Sequence, residues 1–208
     1  MRWLLFGVLS ITGCVNPDAD LQAFQRRLTQ HAAADAGDGA VDGGVCSIRP
    51  DEITGPYLLA ISASIAPGTP ILALLDVSTP ATQDGAALAF VAQPLAASDR
   101  RTKVGEPLSL GPFPIDGDGA FHADITGLSV SGDANPVTPG APIEADLELT
   151  GNLCAKTRLY CGNVSGQIIR PLKLSLDGST FTLTPIPPGS SLPEQPTIDC
   201  RGTLADPL

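Results

Sequence analysis

The sequence predicts an all-β fold, an antiparallel β-sandwich over residues 46–208, preceded by an N-terminal signal and a flexible linker. Three observations carry that prediction. Residues 143–150 alternate without a break: Ile143, Ala145, Leu147 and Leu149 are apolar, while Glu144, Asp146, Glu148 and Thr150 are polar. Such a strand has one core face and one wet face. Short apolar runs recur down the chain between Gly- and Pro-rich clusters. Nowhere does the ~30-residue pattern of a βαβ unit occur, so nothing points to a doubly wound sheet.

At the N-terminus, Arg2 precedes an apolar stretch from Trp3 to Ile11, then Thr12, Gly13 and Cys14. A charged start, a short apolar core and small residues before a cut are the layout of a secretory signal. The stretch is shorter than the roughly 20 residues that cross a bilayer. The run Ile11-Thr12-Gly13-Cys14 resembles the lipobox of bacterial lipoproteins. That resemblance implies a signal peptide over residues 1–13, lipidation of Cys14 through its sulfur, and often an acyl group such as palmitate on the new amine. The expected partner is therefore a membrane, reached through covalent lipid. Val15 in place of an aspartate implies the outer membrane of a Gram-negative envelope. Each buried methylene contributes about 0.8 kcal/mol, and two chains suffice for stable anchoring.

Residues 14–45 read as a tether. Leu21, Phe24 and Leu28 are spaced i, i+3, i+7, which allows one short amphipathic helix within residues 18–34, with Asp20 a possible cap. A helix this short is marginal alone, so a partly ordered stalk is the preferred reading, with His31 solvated. Residues 32–44, AAADAGDGAVDGG, offer nothing to anchor a core, and read as a solvated linker. From Cys14 to Cys46 the tether spans roughly 30 Å as a coil and ~105 Å fully stretched.

Beyond it, strands are expected over residues 57–65, 71–77, 87–95, 120–125, 143–150 and 164–169. A hairpin is expected over residues 172–183, turning at Asp177-Gly178, because Asp-Gly between alternating runs supplies the positive φ of a two-residue loop. That loop sets Leu174 opposite Phe181 and Leu172 opposite Leu183. The turns between strands fall at Ala66-Pro67-Gly68, Thr79-Pro80, residues 116–119 and residues 136–140. Alanines crowd the central runs, and alanine is a poor strand former. After Pro185 the chain carries Pro187, Pro188, Pro193 and Pro196 and reads as an extended surface strap.

The formal charge is −10, and loss of Arg2 with the signal takes it to −11. Nucleic acid is bound through Lys and Arg that neutralise phosphates, so an acidic chain argues against it. The same charge argues against peripheral attraction to anionic lipid. The one tryptophan, Trp3, lies in the signal, which leaves few flat platforms for sugars.

There are five cysteines, Cys14, Cys46, Cys154, Cys161 and Cys200. An odd count in an exported chain asks for one thiol with its own role; giving Cys14 to lipid leaves four, and export favours disulfides among them. Four cysteines pair in three ways. The expected pairs are Cys154–Cys161, worth roughly 2.5 kcal/mol by loop entropy, and Cys46–Cys200, nominally ~5 kcal/mol. No cysteine spacing matches a zinc site, and no cofactor is called for.

Candidate chemistry is sparse. His122 is the one histidine of the folded region, close to Asp124. A hydrolase using it is an alternative, but Gly162-Asn163-Val164-Ser165-Gly166 places its serine one residue late for a nucleophile elbow. Asp116 and Asp118, in Asp116-Gly117-Asp118-Gly119-Ala120-Phe121, are weak calcium candidates; the calcium-loop pattern fails at Ala120, Phe121 and Gly127. The stretch resembles the D-x-D-G-x-F hairpin of transthyretin-like and other immunoglobulin-like bacterial surface modules, which implies a structural turn whose Phe121 plugs the core. Glu144, Asp146 and Glu148 read as a solvated, aggregation-resisting face, since glycosidase carboxylates must oppose each other across a cleft. The expectation is a lipid-anchored, non-catalytic envelope protein presenting its β-domain to a protein or glycan ligand of unknown identity. A carbohydrate- or calcium-dependent adhesion module, with Tyr57 and Tyr160 exposed, is the remaining alternative.

Overall fold

Alternating strands that hide one face and wet the other fold here into one curled antiparallel sheet, a half-barrel. The computed structural model describes residues 50–82, 85–154 and 159–208, which lie within one unit, Val45–Leu208. Cys14, Cys46, the expected signal, the 18–34 helix and the linker lie outside the described residues.

A helical turn, Pro50–Ile53, leads into β1 (Gly55–Ser62), β2 (Ile71–Ser78), the two-residue β3 (Ala81–Thr82) and β4 (Gly85–Pro94). Then come β5 (Leu108–Pro114), β6 (Ala120–Val130), β7 (Ile143–Asn152), β8 (Tyr160–Arg170), β9 (Leu174–Ser175) and β10 (Ser179–Pro185). The order across the sheet is β3-β4-β2-β1-β10-β8-β7-β6, with β5 also on β4 and β9 also on β8. Long strands thus pair with their chain neighbours, and β10 closes back on β1, Leu59 opposite Leu183. The two margins of the curl are β5 and β6, which are themselves consecutive. They meet at a single bridge, Ile115–Phe121, beside the bond from the Asp116 N–H to the Ala120 carbonyl. From there they part toward Leu108 and Val130.

Inside the curl sit Tyr57, Leu59, Leu75, Phe90, Leu147 and Phe181 among others. Two aromatic pairs brace this core, Tyr57–Tyr160 and Phe121–Phe181, each with centroids 6.0 Å apart. β7 behaves as its alternation requires, with Ile143, Ala145, Leu147 and Leu149 buried. β1 is apolar on both faces, and its outer face is buried too: Leu58, Ala60, Leu72 and Leu95 form a second cluster beneath Ile186 and Leu192 of the C-terminal strap. The strap is as extended as its prolines demand. Thr182 and Thr180 donate their hydroxyls to the Thr197 and Ile198 carbonyls at 2.6 and 2.7 Å, and Cys200 is bonded to Cys161 of β8.

Three expectations are corrected. Neither the Cys154–Cys161 nor the Cys46–Cys200 bridge forms, because Cys161 pairs with Cys200; Cys154 is disulfide-bonded as well. Short sequence separation favoured a local loop, but the strap runs back along β10 and brings Cys200 to the β8 strand. The hairpin at Asp177-Gly178 does not form either. β9 and β10 both pair with β8, Leu174 opposite Ile168 and Ser179 opposite Val164. Gly178 has its positive φ, 78°, yet the turn only jogs a strand that continues in the same direction. The reversal happens earlier, between Arg170 and Leu174.

Alternation is common to sandwiches and curled sheets, since each buries one face of every strand. What the periodicity left out is β5, which has no fully buried residue and four exposed ones and whose Pro112 and Pro114 blunt a strand at the margin.

Candidate functional site

The parting of β5 and β6 leaves an apolar crevice. It is a cavity of about 50 Å³ reached from the diverging ends of the two strands, with Ile61, Ile71, Phe90, Leu108, Leu128 and Val130 in its wall. Every residue lining it is apolar. A small hydrocarbon-lined void stays dry and forgoes roughly 1 kcal/mol at ~24 cal/mol per Å³. Edge strands usually close such a gap by pairing; here Leu108, Leu110 and Leu128 remain only half-buried.

Next to the crevice lies a second cleft of about 440 Å³, lined by apolar and polar residues together. Three segments line both: Ile71 faces the crevice and Pro70 the cleft, Pro94 and Ala96 divide likewise, and so do Val130 and Gly132. Arg100 reaches this cleft and a neighbouring one of about 300 Å³. It sits at the tip of the loop between β4 and β5, which is closed by the Ala96 N–H donating to Thr102 O at 2.7 Å. Asp99 Oδ1 accepts the Arg101 and Thr102 amides, both at 2.9 Å, and Oδ2 accepts the Thr102 hydroxyl at 2.5 Å. That tight turn holds Arg100 at φ 57°, a left-handed conformation uncommon for a side chain of this size, and folds it inward until 7% of its surface is exposed. Its Nη1 donates to the Asp206 carbonyl at 2.7 Å and to the Glu194 carbonyl at 3.4 Å. Burial pushes the guanidinium pKa down and the Asp206 charge opposes it; an arginine stays charged regardless.

The same device recurs in the strap. Asp199 Oδ1 accepts the Arg201 and Thr203 amides, and Oδ2 accepts the Thr203 hydroxyl at 2.7 Å. Burial raises the Asp199 pKa, but these bonds and the Arg201 charge outweigh it and leave the carboxyl below its usual range. For Asp99 the Thr102 hydroxyl and the two amides lower the pKa to about 2. A depressed carboxyl stabilises the fold above its unfolded pKa, and the contribution is lost as pH falls through the folded value. The loop around Arg100 should therefore hold at pH 4 and loosen only as pH falls toward 2. A carbon-detected titration of Asp99 settles it: a midpoint at the ordinary 3.8 would mean these bonds are not made in solution.

The sequence candidates fall elsewhere. His122 is exposed on the outer face, opposite Thr150. No hydrogen bond joins it to Asp124 or to a serine among the described residues. Asp116 and Asp118 shape a turn: Gly119 N–H donates to the Asp116 carbonyl at 2.9 Å, Asp118 Oδ1 accepts the Ala120 N–H, and Phe121 is buried in the core. No cluster of three potential metal ligands occurs among the described residues. Glu144, Asp146 and Glu148 alternate on the outer face of β7. There Glu144 meets Arg170 at 3.3 Å and Asp146 accepts the Gly127 N–H at 2.7 Å. Tyr57 and Tyr160 are buried against each other, so neither offers a stacking surface to a sugar.

Neither the crevice nor Arg100 was visible in the sequence as a site. The one readable hint was the Asp99-to-Thr102 spacing, a carboxylate three residues before a hydroxyl, which marks a side-chain-closed turn. Compared with protein-family models, with curated proteins and with solved structures, the chain matches none.

Proposed function

We propose that this chain is a lipid-anchored, non-catalytic envelope protein whose curled β-sheet receives a small apolar ligand at its open seam. The supporting observation is the crevice between β5 and β6, walled by apolar residues throughout. Nothing in it can hydrogen-bond, so the part of a ligand that enters must be hydrocarbon. The cavity is small as it stands, but the seam is held at one bridge, Ile115–Phe121, and can part without breaking a ladder. Anchoring rests on the lipobox-like run ending at Cys14, and lipidation there would hold the domain at a membrane that its acidic charge cannot bind.

The test uses the full exported chain carrying Cys14→Ser, so that no acyl chain of its own competes. Titration with 1-octanol should saturate and should shift the methyl signals of Leu108, Leu128 and Val130 together. Ala92→Leu, which fills the crevice wall, should weaken binding at least ten-fold while raising or preserving thermal stability. Shifts scattered over the surface, or no saturation, would remove the reading. In the unsubstituted protein from native membranes, the N-terminal peptide should begin at Cys14 and carry acyl mass.

A further inference from the structure

The apolar crevice accounts for a tail but not for the larger cleft lined by the same three segments. That cleft is roomy, about 440 Å³, within the range of small-molecule sites. Its walls are mostly small or apolar, Pro70, Ala96, Ala97, Val104 and Pro136 among them. Arg100 supplies the cation. Its residue is more than nine-tenths buried, and its hydrogen bonds to described residues are both made by Nη1. Nε and Nη2 make none among the described residues, so guanidinium donors remain for a ligand where Arg100 lines this cleft and the neighbouring one beside Glu194. Guanidinium forks match carboxylates in two parallel bonds.

Resting on the reading above, we infer that Arg100 binds the carboxylate of a single-tailed monocarboxylate whose hydrocarbon lies in the β5–β6 crevice. One charge suits the site better than two. Asp133 also lines the cleft, Asp206 stands near the guanidinium, and the chain as a whole is at −10, so a phosphate dianion meets repulsion that a monocarboxylate largely escapes. The Asp99 turn fixes Arg100 in place before the ligand arrives, and this pre-ordering lowers the cost of binding.

The experiment compares octanoate with 1-octanol, molecules of one tail length and two head groups, on the same Cys14→Ser chain near neutral pH. Octanoate should bind about ten-fold tighter or more, and its binding should move the Arg100 Nε signal. Arg100→Gln should erase the difference between the two ligands, and Arg100→Lys should restore part of it. Equal affinities in the unsubstituted chain would overturn this inference while leaving the crevice reading intact; binding of neither would overturn both. Because the unsubstituted comparison decides the matter, misfolding of an Arg100 variant does not protect the proposal.

Discussion

Replacing Phe181 with alanine should lower the stability of the folded domain by about 3–5 kcal/mol. In a domain of this size that shifts the thermal midpoint by roughly 10–15 °C. Phe181 has no exposed surface and stands edge-on to Phe121, with an interplanar angle of 64°. It also covers a gap no other residue can fill. Gly151 and Gly162 are paired across β7 and β8, and the Phe181 ring lies where their side chains would be. A Cβ added at Gly162 would lie 2.0 Å from the Thr150 carbonyl oxygen and 2.7 Å from Phe181 Cε1. Gly162→Ala should therefore cost about as much as a core truncation although it adds only a methyl, because the nearest obstacle is backbone. Guanidinium denaturation of both variants checks this; a loss below 1 kcal/mol in either would show that the ring and the two glycines are not one packed unit.

Removing the Cys161–Cys200 bond should cost nearly as much. The bond closes a loop with a separation of 39 residues, for which chain entropy gives about 4 kcal/mol. Its local consequence is more telling. The strap shelters Leu58, Ala60, Leu72 and Leu95. Without the bond it is held by the Thr180 and Thr182 hydroxyls, Arg100 and a few backbone bonds. Cys161→Ser with Cys200→Ser should make the chain trypsin-sensitive at Arg201 and speed amide exchange across residues 186–206, with slower-exchanging β7 changed least. Equal protection of the strap in the bonded and unbonded forms would place its hold in the hydrogen bonds alone.

Local chemistry made most of the strands legible. β7 announced itself because an apolar residue at every second position has one structural use, β2 and β4 as short apolar runs between turn clusters, and the strap because prolines cannot join a ladder. The failures are equally physical. Asp177-Gly178 has the composition of a reversal, but whether a turn reverses a strand depends on what the following residues pair with. β8 takes both flanking segments. Cys161 and Cys200 are distant in sequence and become neighbours only through the path of the strap. β5 carries two prolines and no alternation strong enough to find. The candidate site was unreadable for a related reason: it is a place where two strands do not pair, and sequence patterns report pairing rather than its absence. Nothing in the local sequence sets Arg100 apart from Arg101 and Lys103; only the loop that turns it inward does.

The meander carries a consequence for how the molecule is assembled. Contacts between successive strands can zip up as soon as each hairpin exists, at little cost in loop closure. The exception is the closing pair, Leu59 opposite Leu183, 124 residues apart (183 minus 59). Until the last strand is present, the first one presents an open, two-faced apolar edge, the kind most prone to wrong partners. A chain ending before Ser179 should be held by chaperones or lost to aggregation however well its first seven long strands are made. The stretch from Ser179 to the C-terminus, about a seventh of the chain, thus covers the apolar edge that the earlier strands leave open.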